Sequence, residues 1–411
     1  MDVVYERCCG LDLHKKTIVA CVIVPGAKGK PTKTVRTFGT MTDDIVRLAD
    51  WLSAEGVTHV AMESTGVYWK PVWNVLENRF ELLLANAHHI KTVPGRKTDV
   101  KDSEWIADLL RHGLIKASFV PDRFQRELRE LTRYRIELTR ARAAELNRLQ
   151  KTLEGGNIKL ASVASEIDGK SAREMLEALV AGATDVSAMA QCARGRMREK
   201  ITELERALAG SFGPHQRFLV ARHLAQLDSF DDSIAQVSAE IEERMRPFEA
   251  PLARLDTIPG VAQRTAEVLI AEMGMDMTRF PTAAHLAAWA GLAPGNNESA
   301  GKRKSGVTRK GNPVLKACMV EAANAAVRKR DSYAGAQYHR IVGRRGKKRA
   351  MVAVAHSLIV AAYHMLARGE DYQDLGASYF DDRDPAAVRK RLVRRLNDLG
   401  YDVDLHQRSA A

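Results

Sequence analysis

Two acidic residues sit where a buried strand has little tolerance for charge. Asp12 interrupts the apolar run CCGLDLHKKTIVACVIV, and Glu63 closes a second run, VTHVAME. A carboxylate set into a hydrophobic strand costs free energy on burial unless a cation or another partner offsets it. A further pair, Asp99 and Asp102, opens the stretch KTDVKDSEWIADLL. There Trp105, Ile106, Leu109 and Leu110 recur at helical spacing and mark one buried face, so both carboxylates share one side of the first turn. Taken alone that pair has an ordinary explanation, because acids in a first helical turn complement the macrodipole and cap free N–H groups. Asp12 and Glu63 do not share it, and with them the four acids point to a bound cation.

The order of elements predicts where the four would meet. Residues 5–24 read as a strand ending near His14, a turn at Lys15 and Lys16, and a β-branched return strand from Thr17 to Val24. After Pro25 to Pro31, a third strand around Thr34 to Phe38 precedes helical periodicity from Asp43 to Trp51. Val57 to Met62 is a fourth strand; a helix carrying Tyr68, Trp69, Val72 and Trp73 follows, and Phe80 to Leu84 is a fifth. Three hairpin-connected strands, then strand and helix in alternation, is the order of a ribonuclease H-like α/β domain. In that layout Asp12 lies on the first strand, Glu63 at the end of the fourth, and Asp99 with Asp102 on a later helix.

A chain of 411 residues predicts two or three domains, and 45% hydrophobic residues exclude a disordered one. The formal net charge of +12 asks for a polyanionic partner, nucleic acid before an anionic membrane surface. No run reaches transmembrane length and MDVVYERCCG lacks the order of a signal peptide, so a cytoplasmic protein without a membrane partner is expected. Cys8, Cys9, Cys21, Cys192 and Cys318 lack zinc-like spacing and read as small reduced hydrophobes.

From Asp122 the composition shifts. Residues 123–149 hold eight arginines and four glutamates without Gly or Pro, which predicts a long, net-positive helix: a solvated ion-paired one, or a spine for nucleic acid or another protomer. Residues 157–250 read as all-helical, with amphipathic stretches at Met197 to Leu208 and Ile234 to Met245. The turn Ile258-Pro259-Gly260-Val261 between helices resembles a helix-hairpin-helix element, whose N–H groups hold phosphate. Next comes the polar loop GNNESAGKRKSGVTRKGNP, with Ser299 and Ser305 among Lys302, Arg303, Lys304, Arg309 and Lys310. Small residues and cations there would let backbone approach a phosphodiester. A second basic run, YHRIVGRRGKKR, contains Arg344, Arg345, Lys347 and Lys348, and a largely apolar core helix, Ala350 to Leu366, follows it.

Four carboxylates on such a sheet describe a site for Mg²⁺, which takes oxygen ligands and bridges phosphate oxygens. Two chemistries fit: metal-activated water, or a protein nucleophile attacking a phosphate whose charge is neutralised. Here the residues carry a resemblance. GLDLHK at 10–15, MESTGVYW at 62–69, RKTDVKD at 96–102, IPGV at 258, GLAP at 291, ESAGKRKSGVTRKGN at 298–312 and RRGKKRAMVAVAH at 344–356 together resemble the DEDD insertion-sequence transposases of the IS-one-ten family. The likeness spans residues 6–368 in order. With the residue pattern it predicts α/β plus all-α architecture: a RuvC-like (ribonuclease H-like) DEDD domain at 1–120, a helical, coiled-coil-like region at 121–250 and a mainly helical transposase domain with the serine loop at 251–370; beyond the likeness, composition alone marks a charged extension at 371–411. The likeness also implies that Asp12, Glu63, Asp99 and Asp102 are a metal tetrad and that Ser299 forms a covalent link to cleaved DNA. A structured bridge RNA would pair with donor and target DNA to choose both sites, and the protein would act as a homodimer or homotetramer. Where many relatives carry Ser-Gly, this chain has Ser299-Ala300-Gly301, and a Ser-Gly pair follows at Ser305-Gly306. The competing readings are a RuvC-like nuclease that resolves branched DNA with activated water and a non-enzymatic RNA-binding protein.

Overall fold

The computed structural model describes residues 2–26, 30–64, 66–86, 90, 102–295, 297–299 and 302–406, with backbone alone for 297–299 and 302–305. It divides into two compact units, Met1–Pro121 and Asp122–Ala411.

The first unit is built on one sheet. Its strands are β1 (Cys8–Leu13), β2 (Ile18–Pro25), β3 (Pro31–Phe38), β4 (His59–Glu63), β5 (Glu81–Ala85) and β6 (Ala117–Ser118), in spatial order β3-β2-β1-β4-β5-β6. The first three form an antiparallel meander, closed at its first turn by the His14 N–H donating to the Thr17 carbonyl at 2.9 Å. Then β4 pairs parallel to β1 and β5 parallel to β4, and β6 returns antiparallel. Helices α1 (Thr42–Ala54), α2 (Trp69–Leu76) and α3 (Asp102–Arg111) complete the unit among the described residues.

Strand alternation explains why both faces are covered. Cys9, Leu11 and Leu13 pack with Ile45, Leu48 and Leu52 of α1 and Val72, Trp73 and Leu76 of α2. Cys8, Cys21, Ile23 and Ala61 face the other way, onto Ile106, Ala107, Leu109 and Leu110 of α3. The edge strand β3 is mostly exposed and carries Pro31, Lys33 and Arg36, residues that discourage further strand pairing.

Among the described residues, the second unit is helical apart from one hairpin. Asp122 caps α4 (Arg123–Gly155) by accepting from the Gln125 N–H at 2.9 Å, and 33 residues give it a length of about 50 Å. Helices α5 (Lys170–Ala181), α6 (Val186–Ala190) and α7 (Ile201–Leu208) lead to α8 (Pro214–Met245), which packs along α4. The amphipathic stretch expected from Ile234 is the second half of this single helix. One core gathers Leu149, Leu153, Met175, Leu176, Leu204, Leu208, Val220 and Leu224. The other gathers Leu128, Ile241 and Met245 with α9 (Glu249–Asp256), α10 (Gln263–Met273), α11 (Ala283–Trp289), α12 (Pro313–Ala326), α13 (Tyr333–Arg345) and α14 (Lys347–Arg368). Helix α14 is long and apolar enough to cross a bilayer, but Ala350, Val354, Ala355, Leu358, Ile359 and Ala362 form a buried face against α11, α12 and α13. Two short helices, α15 (Tyr379–Asp382) and α16 (Pro385–Asp398), end the described chain.

The polar stretch expected as a loop contains an antiparallel hairpin, β7 (Asn297–Ser299) and β8 (Lys302–Ser305), with a register shift between Asn297 and Glu298. At the Pro259-Gly260 turn, Gly260 has φ of +80°, and a Cβ there would lie 2.8 Å from the Ala326 nitrogen and closer still to the Ala322 carbonyl. Glycine is therefore required by packing on α12, independently of any phosphate.

Candidate active site

The carboxylate site starts from a glycine. A Cβ at Gly10 would lie 2.9 Å from Ala107 Cα and nearer still to the Ala107 nitrogen and the Ser103 carbonyl. Helix α3 therefore rests directly on the backbone of β1, and Cys8 Sγ donates to the Ala107 carbonyl at 3.6 Å. Asp12 lies two residues beyond Gly10 on the same face of β1. Gly10 pairs with Ala61 and Leu11 with Met62, so the next position along β4 from Met62, Glu63, is the one adjoining Asp12, and Glu63 itself pairs with Ala85 on β5. Asp102 is the first residue of α3, beside Ser103 at the contact with Gly10. Asp12 thus stands near the end of β1, Glu63 at the end of β4 and Asp102 at the start of α3.

Asp12 and Glu63 are half-buried and Asp102 is exposed. His14 Nε2 lies 3.2 Å from Asp12 Oδ2. Sequence reasoning passed over His14 as a partner, although two residues along a strand put the side chains of Asp12 and His14 on one face. Asp99 lies outside the described residues, so its expected place in the same helical turn as Asp102 is not part of this geometry. Among the described residues, no three His, Cys, Asp or Glu side chains are grouped closely enough to hold a metal ion. The donor chemistry nevertheless fits a hard divalent cation, since carboxylate oxygens are the ligands Mg²⁺ prefers. Burial pushes the Cys8 thiol up to about 12 and holds Cys9 well above the ordinary thiol range. All five cysteines are free, as their spacing suggested.

The serine hairpin is organised from its base. Gly291, at φ of +72°, lies against Gly311, where a Cβ would come within 2.6 Å of Gly291 Cα. Gly295 N–H donates to the Val307 carbonyl at 3.0 Å and Asn312 N–H to the Trp289 carbonyl at 2.9 Å, which ties the two ends together. Asn312 Oδ1 caps α12 by accepting from the Val314 and Leu315 N–H groups, while its Nδ2 donates to Glu272 Oε2 at 2.6 Å. Glu272 is fully buried on α10 and also accepts from Arg133 Nε and Nη2, at 2.7 and 2.8 Å. Arg129 approaches the same carboxylate and donates to the Ala271 carbonyl at 3.0 Å. Burial pulls the Arg129 guanidinium down to about 10, against the pull of Glu272, whereas the hydrogen bonds to Glu272 raise Arg133. Ser299 pairs with Lys302 at the end of the ladder away from the base, and Ser305 pairs with Asn297, nearer the base.

Of the two readings of the long helix α4, ion pairing describes half of its arginines, with partners on other elements rather than in solvent. Arg129 and Arg133 are committed to Glu272, Arg135 to Glu267 at 2.6 Å, and Arg142 to Asp168 and Asp231 at 2.7 and 2.6 Å. Half of the eight arginines of α4 therefore hold this unit together. Two acids five apart in the otherwise apolar AEVLIAEM of α10, opposite arginines spaced along a helix, were the available signal. Arg309, Lys310, Arg344, Arg345, Lys347 and Lys348 are all exposed. The last four flank Gly346, at φ of +76°, where α13 ends and α14 begins without an acid in its first turn.

An α/β unit with a carboxylate rim, joined in sequence to a helical unit with exposed cations, is compatible with a protein that acts on DNA. Residues 9–158 match the model of the IS110-type DEDD transposases, described as "Transposase", and residues 252–339 match one described as "Transposase IS116/IS110/IS902 family". A protein of insertion element IS110 from Streptomyces coelicolor is 30% identical over 320 residues, 72% of this chain and 75% of that one. The transposase for insertion sequence element IS1111A from Coxiella burnetii is 23% identical over 297 residues, 71% of this chain and 72% of its own length. A protein of insertion element IS900 from Mycobacterium paratuberculosis is 29% identical over 279 residues, covering 59% and 67%. This is an insertion-sequence transposase, the class of protein that cuts and rejoins DNA. Within that class the chain belongs to the IS110 family.

Proposed function

We propose that this transposase cuts and rejoins donor and target DNA through a carboxylate tetrad and a serine nucleophile, as a RuvC-like recombinase directed to both sites by a structured bridge RNA. The observation that carries the reading is the seating of α3, which Asp102 opens, on Gly10 of β1, two residues before Asp12 and beside the strand that Glu63 ends. The sheet order β3-β2-β1-β4-β5 supports the ribonuclease H-like assignment. Asp99, three residues before Asp102, completes the tetrad in this reading. A divalent cation held by the four, Mg²⁺ for an all-oxygen set, would supply neutralising charge at a phosphate. His14 orients the Asp12 carboxylate.

Ser299 supplies the nucleophile. Its oxygen loses a proton and forms a bond to phosphorus, the bond to one sugar oxygen breaks, and that oxygen takes up a proton; rejoining reverses the exchange with a new sugar hydroxyl. One phosphodiester is exchanged for another, so no oxidant or external energy source is needed. The exposed Arg309, Lys310, Arg344, Arg345, Lys347 and Lys348, together with Lys302, Arg303 and Lys304 of the hairpin, bind nucleic-acid backbone. The active form is a homodimer or homotetramer. RNA that copurifies with the protein and maps to the flanks of its own gene is the expected result of sequencing bound nucleic acid. Purified protein that cleaves and rejoins element ends with no RNA present would contradict the guided reading.

A further inference from the structure

A second cationic cleft adjoins the basic junction of α13 and α14 and shares Arg344 with it. Helices α13 and α16 border a cleft of about 650 Å³ lined by Arg340 and Arg344 from one side and Arg391 and Arg395 from the other. His339 adds a titratable group, and Asp381 is the one acid in the lining. The arrangement is anchored by aromatic contacts: Phe380 stacks on Tyr333 with ring centroids 5.1 Å apart, Tyr379 meets Tyr333 edge-on at 5.2 Å, and the Arg340 guanidinium lies 5.3 Å above Phe380.

Like charge dominates both walls of the cleft. Helix α16 has no buried residue, and the side it turns to the cleft carries Arg391 and Arg395 around the exposed Leu392. Among the described residues none of the four arginines forms an ion pair with a carboxylate. Four guanidinium groups around one space repel one another, and a line of phosphates would neutralise both walls at once. Guanidinium also suits a phosphodiester by geometry, since its planar fork donates two parallel hydrogen bonds to phosphate oxygens.

We propose that the cleft between α13 and α16 binds the phosphodiester backbone of a nucleic acid, making the charged C-terminal extension a part of the interface. The proposal rests on the nucleic-acid-binding reading above but not on the serine, the tetrad or a guide. It is tested with the full chain carrying Arg391→Gln and Arg395→Gln. The control carries Lys390→Gln and Arg394→Gln, an equal charge change on residues of α16 that do not line the cleft. All four residues are exposed, so folding is unaffected. Binding is measured against salt for a DNA duplex and, separately, for an RNA hairpin. The cleft pair should weaken binding on the order of ten-fold or more near 0.1 M salt and lower the slope of log affinity against log salt by about 2, for whichever nucleic acid occupies the cleft. The control should change affinity by less than about two-fold. Equal losses for both pairs, or no loss for the cleft pair with either nucleic acid while the wild-type chain binds, would overturn it. A wild-type chain that binds neither would instead sink the nucleic-acid reading itself.

Discussion

Asp12, Glu63 and Asp102 belong to a sheet with a packed core on each face and to the helix seated on it, whereas Ser299 ends a hairpin ladder whose base is pinned to a helical core. The first arrangement is set by close contact of main chains: α3 lies on Gly10 with no room for a methyl group. The second is set by a buried charge network, in which Glu272 joins Arg129 and Arg133 of α4 to Asn312 at the foot of the hairpin. Packing and ion pairing fail differently. A packed contact is lost when volume is added, and a buried ion pair is lost when one partner is removed.

The largest effects should come from the carboxylates themselves. Asp12→Asn, Glu63→Gln, Asp99→Asn and Asp102→Asn should each lower strand cleavage by about 10³-fold or more with little change in thermal unfolding. Near-normal cleavage by Asp99→Asn with lowered stability would return that residue to a helix-capping role. Removing the hub on the other side of the comparison, Glu272→Ala, leaves Arg129 and Arg133 without their buried partner and should destabilise the helical unit by about 3–5 kcal/mol. Urea unfolding followed by hydrogen exchange would place that loss in α4, α10 and α12; protection unchanged there would show that the hairpin stands without the network. Gly10→Val should cost about 3 kcal/mol, confined to the N-terminal unit, because α3 must lift from β1. If Gly10→Val left the unit intact, the seating of α3 on β1 would be wrong.

Smaller effects test the cationic surface and the hairpin. Replacing Arg344, Arg345, Lys347 and Lys348 by Ala should flatten the salt dependence by about 3 to 4 in slope, if each contacts one phosphate. An unchanged slope would remove this junction from the interface. Ser305→Ala, at the end of the hairpin nearer its base, should change recombination least, by about two-fold or less.

Much of this was legible because burial leaves periodic traces. Alternating apolar residues gave the strands of the N-terminal unit, and a charged residue inside such a run, Asp12 or Glu63, stood out against them. Gly10 showed no such trace: a glycine in a strand looks alike whether it relieves crowding or marks a bulge, and only the Ser103 and Ala107 backbone of α3 tells which. The Glu272 network left only the two acids of AEVLIAEM as a trace, since its partners lie far apart in sequence and an arginine-rich helix reads as solvated when its acids are elsewhere. The hairpin was expected as a loop because KRKS and NES lack the β-branched alternation of ordinary strands.

The central claim is that the hairpin serine attacks the phosphodiester. Stalled reactions on element-end DNA should yield a covalent protein–DNA adduct, with mass spectrometry placing it on Ser299. Ser299→Ala should bind DNA with unchanged affinity and form no adduct. An adduct on Ser305 would reverse the assignment, and cleaved ends with no adduct on either serine would contradict the account in favour of hydrolysis by activated water.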